Sequence, residues 1–209
     1  MLDNPPEPDY AAWGPDGSLY VTDYAQGLIW RVPPGGGKAE VWLTDPRFDG
    51  SLFGPAGIVL MPDHRTLMVS TSAGGITTGD NPTTGKLYTL PMGADGSPGQ
   101  LRKLWESGPA EAPDGFALAQ SGNVYMALVG PETNQLVEIS PSGKELSRSA
   151  GALSNLQMSV PFDEPSSVQF DGDRMIVTND AYFSGDQTHW VLFDVYAGEQ
   201  GAPVYVPGR

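Results

Sequence analysis

Asp9 and Asp114 are the two side chains whose type and placement could do chemistry. Each follows a proline that opens a repeated unit, Pro8-Asp9-Tyr10 and Pro113-Asp114-Gly115, and the same step recurs as Pro55-Ala56-Gly57 and Pro165-Ser166-Ser167. The four residues after these prolines are spaced 47, 58 and 52 positions apart. A tandem repeat brings equivalent positions toward a common axis, so two carboxylates would converge there, with Ser166 adding a hydroxyl and Ala56 nothing. Convergent carboxylates suit a hard cation such as calcium, which takes roughly six to eight oxygens. The competing reading is that each Asp only accepts the backbone N–H groups of its own turn.

The elements that must hold these residues are short strands. After each proline step comes an alternating apolar strand, a turn rich in Gly, Asp, Ser or Asn, and a second strand: Leu19-Tyr20-Val21, Leu67-Met68-Val69, Val124-Tyr125-Met126 and Met175-Ile176-Val177. Third strands are expected at Leu28 to Val32, Lys86 to Leu90, Gln135 to Ile139 and Trp190 to Val195. Fourth strands are expected at Ala39 to Leu43, Leu101 to Trp105, Glu145 to Arg148 and Val204 to Val206. Four up-and-down units predict an all-β fold, a β-propeller of four blades over 8–45, 54–105, 112–149 and 164–207 in one domain, 1–209.

In such a fold the starts of the innermost strands line a channel mouth. The loops between second and third strands would stand above it, bringing Asp23, Glu132, Asn134, Asn179 and Asp180 to the rim. The long polar loop from Thr71 to Gly85 would cover part of that mouth.

Composition narrows the function. With 25 Asp and Glu against 11 Lys and Arg, the formal charge is -14, which argues against nucleic acid or an anionic membrane as partner. No cysteine is present, so disulfides, thiolate metal sites and a cysteine nucleophile are excluded. The sequence reads as soluble, with no apolar run near the roughly 18 residues of a spanning helix and its compartment open.

Other catalytic signatures fail. There is no G-x-S-x-G elbow. Gly79 to Leu87 has the wrong spacing for a phosphate loop, and Leu87 stands where a hydroxyl should hold Mg²⁺. Two histidines exclude an H-E-x-x-H zinc site. His64 belongs to a solvated turn, and His189 is expected to pack beside Trp190. The five tryptophans are expected to fill the spaces between blades.

Pro8-Asp9 followed by Gly14-Pro15-Asp16-Gly17-Ser18-Leu19-Tyr20-Val21-Thr22-Asp23, together with Pro113-Asp114-Gly115-Phe116-Ala117-Leu118 and Ser121-Gly122-Asn123-Val124-Tyr125, resembles the family of senescence marker protein, gluconolactonase and luciferin-regenerating enzyme. These are six-bladed, calcium-dependent propellers. The resemblance implies lactone or ester hydrolysis, with Asp114 as cation ligand and acid/base, Asp9 as a second metal-side residue, and Ser166, Asn179 and Asp180 toward a small-molecule substrate. Ala56 stands where the family places an asparagine ligand, and Glu7 is two positions early for the first-blade glutamate.

At about 45–50 residues per blade, four repeats make either a four-bladed ring or a six-bladed one lacking two N-terminal blades. An incomplete ring would associate with another copy to cover its edges. The alternatives to a hydrolase are a non-catalytic propeller that binds a small ligand or protein partner, and an inactive fragment.

Overall fold

The computed structural model describes residues 5–49, 53–130, 133–149 and 157–208. Glu132, placed at the rim by the sequence, lies outside them. The first blade consists of β1 (Pro8–Trp13), β2 (Leu19–Asp23), β3 (Leu28–Val32) and β4 (Glu40–Thr44). The second has β5 (Pro55–Leu60), β6 (Thr66–Thr71), β7 (Thr84–Pro91) and β8 (Arg102–Pro109). The third has β9 (Pro113–Leu118), β10 (Val124–Leu128), β11 (Gln135–Ile139) and β12 (Glu145–Arg148), and the fourth β13 (Pro165–Asp171), β14 (Arg174–Asn179) and β15 (Val191–Tyr196). Each blade is an antiparallel sheet in sequence order, so the all-β class and the four propeller-type blades stand as expected. Among the described residues no helix is long and apolar enough to cross a membrane.

The chain divides into two compact units, Met1–Pro109 with Pro203–Arg209, and Ala110–Ala202. The first carries blades one and two. Its core joins Tyr20, Ile29, Phe48, Leu67, Val69, Tyr88 and Leu90, with Trp42 edge-on to Tyr20 at 4.5 Å. The second carries blades three and four around Ala117, Tyr125, Leu136, Phe162, Val168, Met175 and Val177. Burying side chains of this size stabilises by about 1.5–3 kcal/mol each, which is what holds sheets of five-residue strands together.

The hairpin turns follow from side-chain chemistry. Asp16 accepts from Ser18 N at 3.0 Å, Asp63 from Arg65 N at 2.8 Å and Thr66 N at 2.9 Å, and Asp95 from Ser97 N at 3.0 Å. Each acid thus closes the turn that reverses its strand.

Two expectations are corrected. Val204 to Val206 forms no strand of the fourth blade, which has three strands among the described residues. After β15 the chain turns back to β9, with Ala119 bridged to Gly201 and Ala202 N donating to Leu118 O at 2.8 Å, and Pro203 and Pro207 then interrupt any ladder. Gly201 is required there, since a Cβ would stand 2.2 Å from Phe170 Cβ. The tryptophans do not all fill blade interiors. Trp105 is buried, but Trp13 is 40% exposed, at an outward-facing position of β1, and Trp190 is 57% exposed, at the end of the short turn that precedes β15.

Candidate functional site

In all four blades the first strand pair slips by one residue immediately after the proline. Pro8 pairs with Asp23 but Ala11 with Val21; Pro55 with Thr71 but Ile58 with Val69; Pro113 with Leu128 but Phe116 with Met126; Pro165 with Asn179 but Ser167 with Thr178. Each is a β-bulge, one extra residue on the inner strand, and bulges re-aim side chains beside functional sites. Asp9, Ala56, Asp114 and Ser166 fall in them, followed in the first three by Tyr10, Gly57 and Gly115.

Hydroxyls one residue before the end of the second strand support three of the four bulges. Thr22 Oγ1 accepts from Tyr10 N at 3.1 Å and donates to Ala56 O at 2.6 Å, within the first unit. Ser70 Oγ reaches Gly57 O at 3.5 Å, and Thr178 Oγ1 shares a hydrogen bond with Ser166 Oγ at 2.8 Å. The third blade has Ala127 at this position.

The bulge side chains differ in setting. Asp9 has solvent access at its surface, yet the protein around it withdraws enough water to push its carboxyl up to about 6. Ala56 is a buried methyl group. Asp114 and Ser166, both in the second unit, are half-buried. A carboxylate short of solvation is chemically suited to a hard cation. Calcium needs roughly six to eight oxygens, however, and among the described residues no group of three or more histidine, aspartate or glutamate side chains could hold a metal ion. The donor chemistry suits a cation while the side chains do not complete a cage.

Asn179 ends the second strand of the fourth blade, and Asp180 follows it. Asn179 is buried, accepts from Asp163 N at 2.8 Å, and donates to Pro161 O at 3.2 Å and His189 O at 2.8 Å. Its amide holds both sides of the 180–190 loop. Asp180 is exposed, its N–H bonded to Glu164 O at 3.1 Å.

The same loop carries His189, whose partners sequence reasoning missed. His189 Nδ1 lies 2.8 Å from Asp163 Oδ2, Ser184 Oγ donates to that oxygen at 2.6 Å, and Phe183 N donates to Glu164 Oε2 at 2.7 Å. His189 is therefore oriented by a carboxylate. Glu164 is buried in a left-handed conformation, φ 57°, with its N–H on Asn134 Oδ1 at 2.7 Å. The available signal was the Asp-Glu step before Pro165, but 26 positions separate Asp163 from His189.

The long loop from Thr71 to Gly85 is fastened by a buried cation. Lys86 is fully buried, and its Nζ donates to Asn81 O at 2.5 Å, Thr84 O at 2.8 Å and Gly74 O at 3.4 Å. Gly75 N and Ile76 N bond Asp49 O, tying the loop to the first blade within the same unit. Lys86 thus serves the backbone of its own loop, consistent with the failed phosphate-loop spacing.

No protein-family model matches the chain, and no curated protein matches it. Solved structures do. A gluconolactonase from Xanthomonas campestris matches with TM-score 0.58 and 18% identity over 86% of this chain and 56% of its own. Regucalcin from Agrobacterium tumefaciens, described as a calcium-binding protein, matches with TM-score 0.60 and 19% identity over 93% and 61%. Luciferin-regenerating enzyme matches with TM-score 0.59 and 18% identity over 96% and 65%. The fold is that of these propellers. The chain spans less than two thirds of the length of each, and identities this low speak for the fold alone.

Proposed function

We propose that the bulge positions are the working surface of a lactonase-like hydrolase acting on a sugar lactone or related ester. The observation that carries this reading is the one-residue bulge repeated in four blades, with a carboxylate in two of them. Asp114 takes a proton from water as its oxygen attacks the acyl carbon, and returns it to the alkoxide as the ring C–O bond breaks. Asp114 in the second unit and Asp9 in the first are each a carboxylate for a divalent cation, calcium first. When bound, such an ion supplies polarisation of the acyl oxygen. Ser166 and Asp180 contact the substrate, and Asn179 acts through the loop it braces. The activity and calcium binding named for the fold neighbours support this reading.

A second reading, a non-catalytic propeller that binds a small ligand or protein partner, is favoured by Ala56. A buried methyl group at the second bulge offers no ligand atom.

Hydrolysis of gluconolactone, followed by acid release with calcium or with chelator, separates the two. A hydrolase loses turnover in chelator and in Asp114→Asn. A melting temperature that rises several degrees with calcium, without turnover in any condition, supports the binding reading. Asp9 and Asp114 belong to different compact units, and calcium titration of the two single variants tells whether one ion engages both. No turnover and no calcium shift would remove the hydrolase reading.

A further inference from the structure

The fourth blade stops one strand short of its three siblings, and its last strand is where a further contact is built. β15 pairs with β14 along its whole length, Arg174 opposite Tyr196 through Asn179 opposite Val191, and has no strand on its other side among the described residues. An unpaired edge presents a row of N–H and C=O groups to any extended chain. Leu192 and Tyr196 on β15 are 68% and 66% exposed.

Beside this edge lies an open groove of about 200 Å³ within the second unit, between β11 and β12 of the third blade and β14 and β15 of the fourth. Leu136, Val137, Met175, Val195 and Ala197 give it an apolar lining. In the first unit, Trp42 and Leu43 of β4 join Leu101, next to β8, in the core shared by two blades. The second unit's core runs out at Phe193, Val195 and Ala197. The groove therefore adjoins the level at which an outer strand's side chains would enter.

Charge selects the occupant. Residues 164–202 carry seven carboxylates against one arginine. That arginine, Arg174, is engaged by Asp194 of β15. Arg148, the cation lining the groove, is held by Glu111 and Glu145, each at 2.6 Å. Glu138 on the groove wall accepts only neutral donors, Asn123 Nδ2 at 2.9 Å and Ser147 Oγ at 2.7 Å, among the described residues. A second copy of this chain, at a formal charge of -14, would bring like charge to this edge.

We propose that the β15 edge is a strand-addition site for an extended basic peptide segment, whose alternate apolar side chains enter the groove while its lysines or arginines face the surrounding carboxylates. Main-chain hydrogen bonds give such a complex its affinity, and the pockets beside the edge give its specificity.

The test uses a synthetic peptide of alternating valine and lysine, long enough to span β15, and its valine–glutamate counterpart as control. Amide hydrogen exchange of the full chain is the readout. The lysine peptide should slow exchange of the β15 amides that face away from β14 by an order of magnitude, and the glutamate peptide should not. Asp194→Lys, at an exposed position, should weaken binding several-fold, and Ala197→Phe, which fills the groove, should abolish it. If Ala197→Phe does not fold, Asp194→Lys decides alone. Equal binding of both peptides, binding of neither, or concentration-dependent dimerisation that protects β15 without peptide would each overturn the proposal.

Discussion

Asp23 and Asn179 occupy the same register position in two blades, each paired with the proline that opens its blade, and each accepts a backbone N–H from the segment leading into that proline. They differ in what else they serve. Asp23 Oδ1 also accepts from Gln26 N at 3.0 Å, and its Oδ2 from Trp30 Nε1 at 2.9 Å, so it meets donors only. Asn179 meets one donor and two carbonyls.

Exchanging the two residue types should therefore damage both places. Asp23→Asn brings N–H hydrogens toward N–H groups, and Asn179→Asp brings an oxygen toward two carbonyl oxygens. Each leaves buried groups unpaired, at about 1–3 kcal/mol. Urea unfolding should show the loss, and hydrogen exchange should localise it to the Trp30 indole N–H for the first variant and to the backbone of the 180–190 loop for the second. Unchanged stability in Asn179→Asp would mean that Asn179 is free to act on a ligand.

Asp9 gives a pH signature whose sign is fixed. Its carboxyl titrates at about 6 in the folded chain against an ordinary 3.8, so the folded state holds the proton more tightly. Below the ordinary value both states are protonated and Asp9 costs nothing. As pH rises through about 6 the folded chain acquires an underhydrated carboxylate, and stability falls. Asp9→Asn should be more stable than wild type at neutral pH and indistinguishable from it near pH 3.5. Melting curves across that window check the difference, and saturating calcium should close the neutral-pH gap if the ion binds there.

Lys86→Met removes three charge-assisted hydrogen bonds from the carbonyls of the loop. The expected loss is about 3 kcal/mol, read as a lower urea midpoint. Limited proteolysis should then cut between residues 72 and 83, where wild type resists. A variant as stable and as resistant as wild type would show that the loop is held by Asp49 alone.

Strand identity and blade count were legible in the sequence because apolar alternation and Asp-centred turns are local. Val124 to Leu128, Gln135 to Ile139 and Glu145 to Arg148 match the observed strands end to end. The bulges were not legible, since a bulge is a difference in count between two strands and neither strand shows it alone. Lys86 reads in the sequence only as the start of an expected strand, and the fold shows three carbonyls closing on it. Val204 to Val206 alternates like a strand, but the chain has already left its sheet at Gly201.

A bulged residue stands outside the ladder's pairing, so its side chain can change without disturbing the hydrogen bonds of the sheet around it. The four blades already display this freedom, with Asp, Ala, Asp and Ser in one structural slot. Chemistry at these slots can therefore differ from blade to blade while the pairing of the strands around them stays the same.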